Sequence, residues 1–391
     1  VCAFSIVIPF TTFLTTPLEW SVMDMVGDLC ADDTKTRTKQ ESNAVLEQCA
    51  AGVSYHSHES YMQVSGKAPA KHLFEVLEIA LEGLYTPKLS AHDYAQRIQR
   101  KRTEFSTSAS DPEILAESEF AKQVFEPAHP QYGITPAERL QVLPETTLSL
   151  VRRAHKEQIV GVAPIMVLGG ALSSTITKKL NSLLTRYAKH YMQRPLTPSS
   201  TADMRPPQKH SSTRTVPEKE NTEVRIGHAL PVLETPQERY ALAIFFSLLG
   251  GGATAHLFKT IRERDGLTYG VYTSTQRIHT LIPAAWYVSA GFAPATTRRG
   301  ILGIQKEVKV FLKEGITKKA VEAKKKELQA SYWTGMQGIG RIVGTYTQNL
   351  ICTEDPTLFT DAPDHIAAVT LKEVQDVATK YIHPHKLTIT A

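Results

Sequence analysis

Residues 223–391 repeat, in the same order, the apolar patterns of residues 1–192. A chain that uses one unit twice is confined to two copies of one architecture. In the later copy, EVRIGHAL alternates Val224, Ile226, His228 and Leu230 onto one face, which predicts a strand. PQERYALAIFFSLL is apolar almost all round and predicts a helix buried on several sides. LTYGVYTSTQR and AAWYVSAGF predict two paired strands, the second alternating Trp286, Val288, Ala290 and Phe292. Ile301, Ile304, Val308 and Phe311 recur at helical spacing, two more helices follow from ITKKAVEAKKKELQASY and VTLKEVQDVATKYI, and KLTITA closes as a strand.

The earlier copy runs likewise. CAFSIVIPF is a strand, PLEWSVMDMVGDLC and TRTKQESNAVLEQC are helices, and GVSYHSHES and YMQVSGKAP are strands. Leu73, Val76, Leu77, Ala80, Leu81 and Leu84 line one face of a further helix. Three more helices and the strand PIMVLGG follow. Short echoes support a duplication: Gly52-Val-Ser-Tyr55 matches Gly266-Leu-Thr-Tyr269, and LPETTLSLV resembles AAVTLKEV. The expected fold is α+β, in two homologous domains, each a mostly antiparallel sheet covered by helices on one face. The domains are expected at 1–192 and 223–391, joined by a Pro-, Ser- and Thr-rich linker over 193–222.

Net charge is +5 and dispersed, which points away from a nucleic-acid partner. No apolar run reaches the ~18 residues of a membrane span. The apolar opening lacks a basic leading region and a cleavage site, so a strand is expected there, not a signal peptide. The start at Val1, inside that strand, predicts a fragment or processed product of a soluble protein whose compartment stays undetermined. Cys2, Cys30, Cys49 and Cys352 show no C-x-x-C spacing and are expected as free, mostly buried thiols.

LLGGGATAHLFKTIRERDGLTYGVY resembles the C-terminal-type domain of the pitrilysin/insulinase family of zinc metallopeptidases, which includes the mitochondrial processing peptidases. FEPAHPQYG, LYTPKLSAHDYAQRIQRKRTEF and the closing VTLKEVQDVATKYIHPHKLTITA are similar to other family segments. The resemblance implies paired homologous α+β domains, in agreement with the repeat.

The family's chemistry rests on H-x-x-E-H, whose histidines sit one helical turn apart as zinc ligands with the glutamate as general base. This chain has no such motif; where the family places it stands PLEWSVMDMVGDLC, without histidine. His56-Ser-His58-Glu59 has H-x-x-E on an expected strand, and His72-Leu-Phe-Glu75-Val76 has Val where the second ligand belongs. A zinc site needs three protein ligands, so both are read as surface or packing residues, and His383-Pro-His385 as a turn. No metal ligand and no cofactor are expected on this chain, with zinc on a partner half.

The resemblance carries over one catalytic feature. In pitrilysin-type enzymes an arginine and a tyrosine seven residues apart reach toward the zinc-bound substrate, and Arg262 and Tyr269 have that spacing. A guanidinium and a phenol hydroxyl can both donate to a developing oxyanion. Arg262 is expected at a helix end, Tyr269 on the strand after a Gly266 turn, and Arg264 on the opposite side of the helix. Gln48 stands where the first copy would need the arginine. Elsewhere, Gly250-Gly251-Gly252 reads as a helix break for close packing, and His228 as a core histidine.

The implied role is a non-catalytic half or subunit, inactive alone, that binds peptide substrate and pairs with a zinc-bearing homologous half or subunit, or with itself. The rival is a structural subunit of the same fold without peptidase function, like the core subunits of the respiratory bc-type complex.

Overall fold

The computed structural model describes residues 1–172, 175–187, 192–195, 203–276, 282–353 and 358–391. Residues 196–202 of the expected linker and Arg277 at the end of an expected strand lie outside them.

In chain order the elements are β1 (Cys2–Pro9), α1 (Pro17–Cys30), α2 (Lys39–Gln48), β2 (Gly52–Ser57), β3 (Tyr61–Ala68), α3 (Leu73–Tyr85), α4 (Ala91–Ser108), α5 (Pro112–Val124), α6 (Pro136–Val142), α7 (Leu148–Gln158), β4 (Ile165–Gly170) and α8 (Ile176–Tyr187). Then come β5 (His210–Ser212), β6 (Thr222–Leu230), α9 (Pro236–Gly250), β7 (Val271–Thr275), β8 (Ala284–Phe292), α10 (Thr297–Val310), α11 (Lys318–Gly335), α12 (Ile339–Thr353), α13 (Leu358–Ala368), α14 (Leu371–Tyr381) and β9 (Thr388–Thr390). The fold is α+β, with antiparallel sheets and helices, as the repeat implies.

The first unit has a sheet in the order β2-β3-β1-β4, all neighbours antiparallel. The second has β5-β9-β6-β8-β7. Matching β1 with β6, β2 with β7, β3 with β8 and β4 with β9 makes the two orders identical, with β5 added as a parallel edge strand. The helix after the first strand begins the same way in both. Thr16-Pro17-Leu18-Glu19 and Thr235-Pro236-Gln237-Glu238 each form a capping box, with proline filling a position whose N–H would lack a partner.

The alternation read from the sequence sorts the sheet faces. Val224, Ile226 and Leu230 of β6 and Trp286, Val288, Ala290 and Phe292 of β8 enter one core with Phe245 and Leu249 of α9. The second face is not bare. In the second unit α5 places Phe120, Ala121 and Val124 against Ala229, Ala285 and Tyr287. In the first, Ile351 of α12 joins Val7, Tyr61 and Ile165. This packing groups α5 with the second unit, between chain crossings at Thr107/Ser108 and Thr135/Pro136, and α12 with the first, after a further crossing at Thr334/Gly335. Within the stretch expected as a linker, Met204 bridges Phe125 and β5 pairs with β9, so its later residues are part of the second unit.

All four cysteines are buried and none is in a disulfide. His228 is a core histidine, 1% exposed. Its Nδ1–H donates to Ala229 O at 2.8 Å, and its Nε2 accepts from Trp286 Nε1 and His383 N at 3.0 Å each. Burial pushes its pKa down to about 4, and His129 likewise.

Candidate functional site

The site is built at the C-terminal end of α9. A Cβ on Gly250 would lie 2.6 Å from Thr273 N, and Thr273 Oγ1 donates to Phe246 O at 2.7 Å, so the helix end sits directly on β7. The glycine run is a packing break, as read. Gly252, at φ +151°, turns the chain into a wide helical turn, Phe258–Arg264, anchored by buried Phe258 and Ile261.

That turn ends in a reversal one residue wider than the usual glycine cap. Gly266 N donates to Arg262 O and Leu267 N to Ile261 O, with Gly266 at φ +62°. Arg262 stands in the last turn, as expected. Its side chain is exposed and its Cζ lies 4.3 Å over the Phe258 ring, a cation–π contact that fixes its direction.

Tyr269 differs from its expected place. It is not on a strand: β7 starts only at Val271. The reason is Thr268, whose hydroxyl lies 2.6 Å from Gly291 O of β8 and accepts Gly270 N at 3.2 Å, drawing the backbone out of the ladder. Tyr269 is left at the apex of a pinned loop, 95% exposed. Its sequence echo, Tyr55, lies on β2 with its hydroxyl donating to Ala80 O at 3.1 Å, so the two tyrosines share a pattern and not a role.

Among the described residues, neither the Arg262 guanidinium nor the Tyr269 hydroxyl has a hydrogen-bond or ion-pair partner. Arg264 contrasts with both. It donates to Asp265 at 2.7 and 2.8 Å and to Glu307 Oε1 at 3.1 Å, while His256 Nε2 holds Glu307 Oε2 at 2.8 Å. These bonds raise the Arg264 pKa and lower that of Asp265. Arg264 is a structural residue, its Nε and Nη2 committed to Asp265 and Glu307.

The expected motif position, α1, is a helix whose Asp24 pairs with Arg139 and whose Asp28 faces Arg97 and Lys101. His56 lies on β2 and His58 stacks on Tyr61. At His72 the fold adds what spacing could not reveal. His72 Nδ1 and Cys49 Sγ each lie 3.4 Å from Glu75 Oε2, and the three donor atoms lie within 4.8 Å of one another. Burial, then the Glu75 carboxylate, pushes the Cys49 thiol pKa up.

Residues 164–328, which include Arg262 and Tyr269, match the family model described as the peptidase M16 inactive domain. An uncharacterized zinc protease of Streptomyces coelicolor is 26% identical over 37% of this chain and 31% of its own length. The non-peptidase homolog YmxG of Helicobacter pylori is 25% identical over 57% of this chain. The match spans half of that relative's length (50%). Among solved structures, a peptidase M16 inactive domain from Pseudomonas fluorescens shares the fold over 99% of this chain and 92% of its own, at TM-score 0.83 and 16% identity. The periplasmic protease PqqL of Escherichia coli shares it over all of this chain (100%) and 42% of its own, at TM-score 0.76 and 14% identity. The family model bears out the resemblance over residues 164–328, and the solved structures bear out the fold. No described helix is long and apolar enough to cross a membrane.

Proposed function

We propose that this chain is the non-catalytic half or subunit of a zinc peptidase, binding peptide substrate and offering Arg262 and Tyr269 to the active site of a zinc-bearing homologous partner. The observation that carries the reading is the pairing of two uncommitted donors on one pinned reversal, beside an Arg264 committed to Asp265 and Glu307. On the partner, zinc would supply a polarised water at neutral pH. The residues of this chain act on the other side of the scissile bond. As the peptide carbonyl oxygen gains charge, a guanidinium held by Phe258 and an exposed phenol hydroxyl can donate to it without first breaking bonds of their own.

In support, the matched family model is an inactive domain, and the same fold recurs as part of a longer protease chain. The alternative, a structural subunit with no peptidase role, is favoured by the Helicobacter pylori relative named a non-peptidase homolog. Co-purification with the H-x-x-E-H-bearing counterpart, followed by a peptide-cleavage assay of the pair and of each chain alone, separates the two. Cleavage by the pair that exceeds that of either chain supports the proposal; a stable complex without cleavage supports the alternative.

A further inference from the structure

Cys49 ends α2 as its C-terminal cap, His72 closes the tight helical turn Ala70–His72, and Glu75 stands in the first turn of α3. The β2–β3 hairpin lies between them in sequence, so only the folded chain assembles them. We infer that Cys49, His72 and Glu75 form a binding site for a borderline-soft divalent cation of the zinc type, separate from the peptidase motif position on α1 and independent of the peptidase proposal.

The donor set is a thiol, an imidazole and a carboxylate, one of each ligand class that zinc takes. The spacing also fits. Tetrahedral coordination at ordinary zinc–ligand distances puts nitrogen and oxygen about 3.3 Å apart and sulfur and oxygen about 3.6 Å apart. The observed Nδ1···Oε2 and Sγ···Oε2 separations are 3.4 Å each. Cys49 is 3% exposed, whereas the His72 and Glu75 side chains are 30% and 48% exposed. The sulfur therefore forms a buried floor, and the outer side stays open for entry and for a water as fourth ligand. On binding, the Cys49 S–H bond breaks, its proton passes to solvent and a sulfur–metal bond forms. The cation would tie the end of α2 to the start of α3.

The test uses the full chain alone, stripped with chelator and titrated with cobalt(II). One cobalt per chain is expected, with the near-ultraviolet charge-transfer absorption of a cobalt–thiolate bond, and zinc should abolish the absorption. Cys49→Ser should remove it. His72→Ala and Glu75→Gln, both on the partly exposed side, should each weaken binding at least ~10-fold, since even outer-shell changes cost that much. Absence of the thiolate absorption in the wild type overturns the site, as does its persistence in Cys49→Ser or unchanged affinity in both other variants.

Discussion

Arg264 Nη2 donates to Glu307 Oε1 across 3.1 Å, and the carboxylate it meets is 3% exposed. Among the described residues, removing the arginine leaves His256 as the remaining partner of a buried carboxylate. Breaking a fully buried pair costs several kcal/mol, but Arg264 is itself half exposed, and solvent screening reduces the loss. Arg264→Ala is expected to destabilise the chain by ~1–2 kcal/mol. Arg262→Ala, which loses a cation–π contact to Phe258 from an exposed guanidinium, should cost less, ~0.5–1 kcal/mol. Urea unfolding of the two variants checks the ordering; equal losses would mean that Arg264 is not structural.

Catalytic effects should follow the opposite order. In a reconstituted peptidase, Tyr269→Phe removes one hydroxyl from a fully exposed ring and should leave stability unchanged while lowering kcat by up to ~10²-fold. Arg262→Ala should lower kcat and raise KM, because a guanidinium can hold a peptide carbonyl before reaction. Lys259, an exposed cation in the same helical turn, is the control that Arg264 cannot be. If Lys259→Ala reduces kcat as much as Arg262→Ala, the effect is one of general charge, and the pair is misassigned.

Acid should destabilise the second unit through its buried histidines. His228 and His129 titrate near 4 when folded, against about 6.5 when unfolded. Between these values the unfolded chain binds the additional protons, so stability rises with pH there. The contribution is complete above about pH 6.5 and is lost as pH falls through about 4, by roughly 3 kcal/mol for each histidine. Denaturant midpoints at pH 7.5, 6 and 4.5 should fall in that order. A flat profile would show that neither imidazole is held neutral.

The repeated helix start predicts matched mutational costs. Thr16→Ala and Thr235→Ala each remove a hydroxyl that accepts the N–H of the third helical residue, and each should cost ~1 kcal/mol. Glu238→Ala should cost more than Glu19→Ala, because Glu238 also accepts from Lys380 Nζ at 2.8 Å and Tyr381 OH at 2.9 Å. Equal costs for the two glutamates, measured by chemical denaturation, would count against those added bonds.

The duplicated sheet was legible because alternation at Val224–Leu230 and Trp286–Phe292 depends only on which residues avoid water. The place of Arg262 at a helix end was legible through the family resemblance and its seven-residue spacing to Tyr269. Tyr269 was misplaced onto a strand because its neighbours alternate well enough, while the hydroxyl of Thr268, bonded to Gly291 on another strand, takes the backbone away. Propensity cannot register such a tertiary bond. Glu307 and Cys49 escaped for the same reason: the partners of each lie at least 26 residues away, and no spacing rule connects them. The grouping of α5 with β6 and of α12 with β1 is also tertiary, since either helix face reads equally well beside any sheet.

The reversal that presents Tyr269 depends on one backbone conformation. Gly266 has φ +62°, in the left-handed region, and a Cβ built there meets nothing within 4 Å. The penalty for a side chain is therefore conformational alone, unlike Gly66, where a Cβ would lie 2.3 Å from the Phe4 ring. Gly266→Ala should cost ~1 kcal/mol, and Gly266→Asn less, because asparagine enters this region more readily. Gly266→Val should cost more, since a β-branched side chain resists positive φ. If the turn fails, the bonds from Gly266 N to Arg262 O and Leu267 N to Ile261 O fail with it, and the Tyr269 loop loses its base. The asparagine variant should then retain most of the kcat of the reconstituted pair, while the valine variant falls toward that of Tyr269→Phe. Thermal melts together with steady-state kinetics test this ranking. A valine variant as stable and as active as asparagine would show that the left-handed turn does not hold the tyrosine.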